Sequence, residues 1–467
     1  MESSLRSFSL ASFIIGCVLS SVPACRAVQE EPPQAQAQSE NSQATELEKE
    51  FDLAAGAHKV ELEDLYRTRG VPPLVGLRGS LAAHRLIPGV LRDHFLPGTA
   101  LLFYSFHAER LSVWLVTAEG IAAHETESVS AAKLAEAINN LRRSLGVESI
   151  SVSRSPILRG VRVPKAADEA KLNLQQALLE ADSLLLPQPI AEKLKQARAL
   201  LVVPVLGLGS VPYALLQPFS PGEYLIDRMS VSVAPSLFDV AQVDERFEPI
   251  DEFLRHERSL TFEFGPAVVV GNPDLSADPD WAFPPLPGAA QEAEDVARMV
   301  GAEALTGRRA TKANVLRKAR EADFLYFATH GVADPDNPVA GSFLALSGST
   351  KDEIHWTAKE IQSLRLTASL AVLSACQTGL GKSHDAGIIG LARAFQIAGV
   401  MNVVMSLWNV DDQATSQLMR GFISKLKSCK DETCIPAEAL RAAILEFKQS
   451  HAEPKLWAPF VIFGAPR

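Results

Sequence analysis

The sequence has few cysteines, no long run of basic residues and, after its first 27 residues, no apolar stretch long enough to cross a membrane. A net charge of −10 without a clustered positive face excludes nucleic-acid binding as a primary role, because phosphate recognition requires such a face. Repeats of roughly 20 to 50 residues are also absent. What is present is an ordinary globular composition, 47% apolar and 21% charged, with enough length for about three domains.

The first 27 residues have the pattern of an export signal. A single cation precedes an apolar stretch over residues 8–24, and Val22–Cys25 resembles a lipobox, in which a small residue precedes a cysteine that becomes lipidated. We therefore expect residues 1–27 to direct export and Cys25 to hold the protein on a membrane through lipid. Signal cleavage after Ala27, or a disordered N-terminus on a cytoplasmic protein, is the alternative.

The next segments differ in composition. Residues 28–50 are rich in Gln, Glu, Ala and Pro with little apolar content, which predicts a disordered linker. Residues 51–95 are predicted to be a helical lead-in. Apolar runs at 100–106 and 111–117, joined by a polar turn, predict two strands, and the apolar spacing over 130–145 predicts an amphipathic helix.

The C-terminal half alternates apolar runs with helical patterns. The runs predicted as strands are 267–270, 323–328, 370–373, 403–407 and 460–463. The helices predicted between them are 289–300, 311–321, 386–398, 412–426 and 436–449, with a capping box at Thr357–Glu360 opening another short one. Such alternation predicts an α/β fold with a mostly parallel sheet covered by helices and functional groups at the carboxyl ends of strands.

Two consecutive predicted strands end in residues that can carry chemistry. His330 and Gly331 follow one strand, and Cys376 follows the next. A thiolate is a strong nucleophile, and a nearby imidazole can take its proton and later protonate a leaving amine. The backbone N–H groups of Gly331 and Cys376 could bind an oxyanion. Each residue alone is compatible with a structural role, but together they favour a catalytic pair.

These residues lie in segments that resemble the CHAT domain, a caspase-like peptidase domain often associated with tetratricopeptide repeats. The resemblance is carried by residues 324–331, 373–380, 390–395 and 404–412, in the order and spacing of that family. Two features depart from it. The sequence contains no tetratricopeptide array, and Asp385–Gly387 stands where many relatives have Gly-Glu-Gly.

The resemblance implies a caspase-like fold, with a degenerate N-terminal lobe over 96–260 and a catalytic lobe over 261–467. It also implies a His330/Cys376 dyad that cleaves peptide bonds in a protein or peptide substrate without metal or cofactor. A non-hydrolysing signalling or scaffold protein with the same fold is the alternative.

Residues after the strand at 403–407 are candidates for substrate binding. In caspase-like enzymes this strand edges the primary specificity pocket, so Trp408 could supply an apolar wall and Asp411 or Asp412 a carboxylate that favours Arg or Lys in the substrate. The alternative is structural: Asp411 as a helix N-cap and Asp412 in the first helical turn.

Three further patterns complete the candidates. Cys429 and Cys434 flank a short polar loop that could close a disulfide in an oxidising compartment, or they are two incidental thiols. Gly379–Ser383 is similar to the end of a phosphate-binding loop, but the position of its first required glycine is Cys376, which leaves nucleotide binding as a minor alternative. The histidines show no chelating spacing, so no metal site is predicted.

Overall fold

A computed structural model describes residues 33–69, 82–147, 173–241, 264–278, 283, 286–334, 337–374, 382–384, 387–409, 411–429 and 435–464. For residues 33–44, 65–66, 68–69, 382–384 and 387–389 it describes the backbone alone. Residues 48–467 form one compact unit. The predicted export signal and Cys25 lie outside the described residues. Within the described ranges, no helix combines the length and apolar character needed to cross a membrane.

In the described residues of the N-terminal half, helices surround a set of five strands. The helices are α1 (Pro33–Arg69), α2 (Ala83–His94), α3 (Ala131–Ser144), α4 (Leu174–Leu185), α5 (Gln188–Leu194), α6 (Leu225–Arg228) and α7 (Leu237–Ala241). The strands are β1 (Thr99–His107), β2 (Arg110–Thr117), β3 (Gly120–Ser128), β4 (Ala199–Val203) and β5 (Ser230–Val233). Two short 3₁₀ helices, Leu206–Ser210 and Tyr213–Leu215, follow β4.

The C-terminal half alternates strands and helices, as predicted. The strands are β6 (Ala267–Pro273), β7 (Ala304–Gly307), β8 (Phe324–Ala328), β9 (Gly331–Val332), β10 (Phe343–Ala345), β11 (His355–Thr357), β12 (Leu370–Leu373), β13 (Lys382–His384), β14 (Gly387–Ile389), β15 (Asn402–Ser406) and β16 (Phe460–Gly464). The helices are α8 (Pro287–Val300), α9 (Lys312–Ala319), α10 (Lys351–Ile354), α11 (Ala358–Gln362), α12 (Leu391–Ala398), α13 (Asp412–Ser428), α14 (Pro436–Lys448) and α15 (Pro454–Trp457).

A single mixed sheet of eleven strands runs through both halves, in the order β3-β2-β1-β4-β5-β16-β15-β12-β8-β6-β7. Most neighbours are parallel, and the antiparallel pairs are β1 with β2, β2 with β3, and β15 with β16. Strands β8, β12 and β15 are buried along their whole length, which is typical of parallel strands covered on both faces. The prediction of a mostly parallel sheet covered by helices is confirmed.

The two halves of the sheet meet at β16. This strand is parallel to β5 and antiparallel to β15. The parallel strands of the two halves therefore run in opposite directions. The predicted lobe boundary at 260/261 falls between residues that are not described, and the strands on its two sides share this one sheet.

The structure differs from the prediction of a disordered linker over 28–50, because α1 already covers the chain from Pro33. Alanine, glutamine and glutamate, which make the segment polar, are also good helix formers. The helix continues into the predicted helical lead-in, where Phe51, Ala55 and Leu62 are buried.

The predicted helix over 386–398 is wrong at its start. Residues 387–389 form strand β14, and helix α12 begins only at Leu391. Glycines at 387 and 390 disfavour helix, because the residue without a side chain loses the most conformational freedom there. The predicted capping box is confirmed, since Thr357 and Glu360 cap α11 reciprocally.

Close packing of α8 on the sheet requires a glycine. A Cβ at Gly271 in β6 would lie 2.3 Å from the Cβ of Ala293 and 2.5 Å from the carbonyl oxygen of Ala289. Any larger residue would push α8 away from β6. This contact helps fix the strands that lead toward the candidate site.

Candidate functional site

Three neighbouring parallel strands end at the same edge of the sheet, and the candidate residues follow them along the sequence. Strand β12 pairs with β8 on one side and with β15 on the other. In this register Phe327 of β8 lies opposite Leu373 of β12, and Val372 lies opposite Val404 of β15. The segments that contain His330, Cys376 and Trp408 all follow the carboxyl ends of these strands. Strands β8 and β12 are therefore neighbours, as the predicted pairing of His330 with Cys376 requires, and that pairing stays a prediction.

His330 follows β8 directly and is almost completely buried, with 1% of its surface exposed. Its carbonyl oxygen accepts a hydrogen bond from the N–H of Ala345 at 2.9 Å. The hydroxyl of the preceding Thr329 donates to the carbonyl oxygen of the same Ala345 at 2.7 Å. The backbone that carries the imidazole is therefore fixed to β10 rather than held in an open loop.

An aromatic residue that the sequence did not single out covers the imidazole. The ring of Phe283 packs on His330 with 5.0 Å between centroids and 30° between the planes. Aromatic pairs at such distances gain free energy beyond simple burial. Phe283 thereby restricts the orientations that the His330 ring can adopt.

Asp278, in the chain after β6, is held by a buried hydrogen bond to a histidine. His355 Nε2 lies 2.7 Å from Asp278 Oδ2, and both side chains are buried. The His355 ring also stacks on Phe343 of β10, at 3.7 Å between centroids. The chain after β6, β10 and β11 therefore forms one packed cluster beside His330. Nothing in the spacing of Asp278 and His355 along the sequence predicted this pair.

The position of Gly331 suits an oxyanion-binding N–H. Because Ala345 donates to the carbonyl of His330, these two residues form a hydrogen-bonded pair of the antiparallel ladder. Gly331 lies opposite Leu344, which is the next pair and therefore a non-hydrogen-bonded one. In such a pair the N–H of Gly331 points away from β10. The predicted role of Gly331 is compatible with this geometry and stays a prediction.

Cys376 lies outside the described residues. The chain is described as far as Ser374, which comes immediately after β12 and is buried. It is described again from Lys382, where β13 and β14 form a small antiparallel hairpin. The hairpin lies beside the 3₁₀ helix Leu206–Ser210.

Trp408 is buried and held from two sides. Its indole N–H donates to the carbonyl oxygen of Lys455 at 3.0 Å. The guanidinium carbon of Arg142, from α3, lies 5.5 Å from the centre of the Trp408 ring. With only 2% of its surface exposed, Trp408 is a rigid part of the chain after β15.

Asp411 is exposed and caps helix α13. Its Oδ1 accepts hydrogen bonds from the N–H groups of Gln413 at 3.0 Å and Ala414 at 3.1 Å. This is the structural alternative stated for Asp411. The predicted contact with a basic substrate side chain stays a prediction.

Asp412 lies in the first turn of α13 and packs against the start of α8. A Cβ on Gly288 would lie 2.0 Å from Asp412 Oδ2, so the carboxylate approaches the backbone closely there. The first turn of a helix favours a negative charge because its N–H groups carry partial positive charge. Asp412 is thus placed where it can join the starts of two helices.

The remaining predicted positions are partly described. Cys429, at the end of α13, is disulfide-bonded, while Cys434 lies outside the described residues, so their pairing stays a prediction. Within the described ranges, no group of three or more His, Cys, Asp or Glu side chains could hold a metal ion.

Part of the chain is similar to two curated proteins. The chain is 28% identical over 289 residues to Tetratricopeptide repeat protein 28 of Homo sapiens, and 30% identical over 292 residues to the Mus musculus protein. Each match covers 55% of this chain but only 11% and 12% of those relatives. The chain therefore spans about a tenth of the length of the curated relatives that it matches.

The chain also aligns with two solved structures of low sequence identity. The Saccharomyces cerevisiae separase–securin complex aligns with a TM-score of 0.47 and 12% identity, over 82% of this chain and 31% of that chain. The complex of the Porphyromonas gingivalis RgpB pro- and mature domains aligns with a TM-score of 0.39 and 12% identity, over 72% of this chain and 76% of that one.

The matched region of the chain contains the three central strands and all residues proposed for the site. The sequence profile of the CHAT domain covers residues 175–465. That span begins in α4 and ends just after β16, and it includes His330, Cys376 and Trp408. The chain belongs to the CHAT domain family.

Proposed function

We propose that this protein is a cysteine endopeptidase in which His330 and Cys376 form the catalytic dyad. The observation that carries the proposal is the pairing of Phe327 with Leu373 in adjacent parallel strands. His330 follows Phe327 by three residues, and Cys376 follows Leu373 by three residues. Cys376 is two residues beyond Ser374, which directly follows β12. The connectivity therefore supports a short distance between thiol and imidazole.

The chemistry follows from the two groups. The imidazole of His330 takes the proton of the Cys376 thiol, and the thiolate attacks the carbonyl carbon of the substrate. The N–H groups of Gly331 and Cys376 bind the oxyanion that develops. His330 then returns the proton to the leaving amine, which breaks the peptide bond and leaves a thioester. Water, deprotonated by His330, hydrolyses the thioester and regenerates the thiol.

The contacts around His330 support its proposed role as the general base. Phe283 restricts the imidazole and the Ala345 hydrogen bond fixes its backbone. A general base held in one orientation loses less entropy when it reaches the transition state. Such fixing is useful to a catalytic histidine, while an ordinary turn histidine needs none of it.

Preference for a basic residue before the cleaved bond is the finer part of the proposal. Trp408 supplies a rigid apolar wall after β15, and the exposed carboxylate of Asp411 lies three residues further along the chain. A carboxylate at that place would form a charge-assisted hydrogen bond with an arginine or lysine side chain.

The decisive experiment compares the purified protein with Cys376→Ala, His330→Ala and the double variant on a diverse peptide library. The wild type should cleave, with both single variants reduced by roughly 10³-fold or more and the double variant no worse, because members of one catalytic unit are not additive. His107→Ala, at the exposed end of β1, is the matched histidine control and should cleave normally.

Two outcomes would contradict the proposal. Undiminished cleavage by Cys376→Ala would show that the activity belongs to another group. A folded wild type that binds peptides without cleaving any of them would favour the scaffold alternative, which the names of the tetratricopeptide relatives leave open.

We also propose that the protein is exported and anchored by lipid at Cys25. The support is the apolar stretch over residues 8–24 and the small residues before Cys25. One acyl chain binds membranes only marginally, so the anchor would need more than one. Mass spectrometry of the mature N-terminus tests this, and an intact Met1 on protein free of membranes would contradict it.

A further inference from the structure

We propose that Arg142, in the N-terminal half, is a positioning residue for the substrate-binding side of the site, because its guanidinium holds the chain that follows β15. The proposal rests on the proposed peptidase function for its catalytic consequence. Its structural part, the ordering of that chain, can be tested without any activity.

The guanidinium joins the two halves of the molecule. Arg142 Nη1 donates to the carbonyl oxygen of Ser210 and Nη2 to that of Leu407, each at 3.4 Å. Its central carbon lies 5.5 Å from the Trp408 ring centre, a distance at which a cation is attracted to an aromatic face. Leu407 and Trp408 directly follow β15, and Ser210 ends the 3₁₀ helix after β4. One side chain thus holds both segments.

Burying the charged side chain of Arg142 costs free energy, which indicates that stability alone does not explain its position. Arg142 is only 1% exposed, and burial lowers the pKa of its guanidinium from 12.5 to about 10. It is still protonated near neutral pH. Within the described residues its Nε has no hydrogen-bond partner, and no carboxylate forms an ion pair with it. An apolar side chain would fill the space without burying a charge.

The shape of the guanidinium explains why an arginine suits this position. Its planar fork can reach two carbonyl groups at once while its face lies on an aromatic ring. The segment that it holds, residues 407–411, connects β15 to α13 and contains Trp408 and Asp411. On the other side, Leu206–Ser210 lies beside the β13/β14 hairpin, which the chain enters after Cys376. Arg142 therefore holds two segments at once. One is the chain after β15, and the other is the 3₁₀ helix that lies beside the β13/β14 hairpin.

The experiment uses the full protein and three variants. Arg142→Met removes the charge at similar volume, Arg142→Lys keeps the charge without the fork, and Arg143→Met removes an exposed arginine from the same helix as a control. Backbone hydrogen exchange, followed by mass spectrometry, is measured on peptides covering residues 405–414 and on peptides covering His330. Steady-state kinetics on a peptide with a basic residue before the cleaved bond, and the rate of Cys376 alkylation by iodoacetamide, are measured in parallel.

We expect faster exchange at 405–414 in Arg142→Met, with exchange around His330 unchanged. Cleavage should fall by roughly 10- to 100-fold in kcat/KM, mainly through a raised KM, because misplacement by about 1 Å has effects of this size. Alkylation should keep its rate within about twofold, since a small reagent needs the dyad but no substrate pocket. Arg142→Lys should be intermediate in exchange and cleavage, and Arg143→Met should resemble the wild type.

Each contrary result has a defined meaning. Unchanged exchange at 405–414 would overturn the proposal, as would unchanged kcat/KM or an equal loss of alkylation and cleavage. If Arg142→Met does not fold, Arg142→Lys carries the same readouts. If the wild type cleaves no peptide, the peptidase proposal fails, while faster exchange in the Arg142 variants would still support the ordering of this segment.

Discussion

Both halves of the sheet contain parallel strands, but the residues at the carboxyl ends of these strands differ between the halves. In the C-terminal half, β8 leads into His330 and β12 leads toward Cys376. In the N-terminal half, the segments after β4 and β5, residues 204–210 and 234–236, contain neither histidine nor cysteine. The parallel strands of one half therefore lead to a histidine and a cysteine, and those of the other half lead to apolar and small residues.

The N-terminal half instead supplies charge at the boundary between the halves. Arg142 reaches the carbonyl of Leu407, and Asp239 of α7 pairs with Arg393 of α12 at 2.6 Å. Both contacts fall on segments that flank the proposed site. The comparison teaches that a half whose parallel strands end in apolar and small residues can still anchor segments beside the strand ends of the other half.

The largest effect on stability should come from breaking the ion pair between the halves. Arg393 is buried and Asp239 nearly so. Removing one member of such a pair leaves an uncompensated buried charge, which costs about 3–5 kcal/mol. We expect Arg393→Met to lower the free energy of unfolding by that amount, measured by urea denaturation.

Lys195→Met provides the matched control within one half. Its ion pair with Glu192 is 2.7 Å long but exposed, so its loss should change stability by at most about 1 kcal/mol. If both substitutions lower the free energy of unfolding equally, the ion pair between the halves contributes no more to stability than an exposed ion pair within one half.

A second difference between the halves concerns how the stability of the protein depends on pH. Burial raises the pKa of Asp182, on α4, from 3.8 to about 7, although the N–H of Gln217 donates to its carboxyl group and opposes the shift. Between these pH values the folded protein keeps a proton that the unfolded chain has lost. The contribution of Asp182 to stability is therefore complete below about pH 4 and lost as the pH rises through about 7.

Asp182→Asn retains an acceptor for Gln217 and cannot ionise. We expect it to be more stable than the wild type above about pH 8, by up to a few kcal/mol, with a smaller difference near pH 5. Thermal unfolding across this range measures the effect. The pH profile of peptide cleavage should not change, and a shifted profile would mean that the N-terminal half titrates the site directly.

The smallest predicted effect separates two roles of Asp411 in the C-terminal half. Asp411→Ala should cost about 1 kcal/mol of stability by removing the cap of α13. Asp411→Asn should cost little, because asparagine is an equally good N-cap, but it lacks the charge. If the carboxylate reads a basic substrate side chain, both variants lose the preference for Arg and Lys over neutral residues. Retained preference in Asp411→Asn would remove Asp411 from the pocket.

Local patterns predicted much of this molecule. The strand at 370–373 and the Thr357/Glu360 capping box are confirmed at the predicted residues, because apolar run length and caps are properties of neighbouring residues. Strand β3 was not predicted, since its sequence is largely polar and short of β-branched residues. It is formed by pairing with β2 along its whole length, which is a tertiary effect.

Contacts between distant residues account for the rest. The Asp278–His355 pair spans 77 residues and the Arg142–Leu407 contact spans 265. No periodicity or motif connects positions so far apart, so the contacts of Phe283 and Arg142 could not be predicted. The neighbouring strands β8 and β12, which precede His330 and Cys376, agree with the alternation of strands and helices in the sequence. The polar segment at 33–50 differs from its prediction for a local reason. Its low apolar content predicted disorder, but its side chains are good helix formers and the segment forms the start of α1.

Strand β16 has a consequence for how the chain is made. Five residues, Phe460–Gly464, provide the whole hydrogen-bonded link between β5 and β15. On a ribosome, β5 and β15 would both emerge before their common neighbour and would each present an unpaired edge until it arrives. Such edges invite association with other chains. Because β16 follows both of its neighbours along the chain, its synthesis closes the sheet and ends the period in which these two edges are exposed to misassembly.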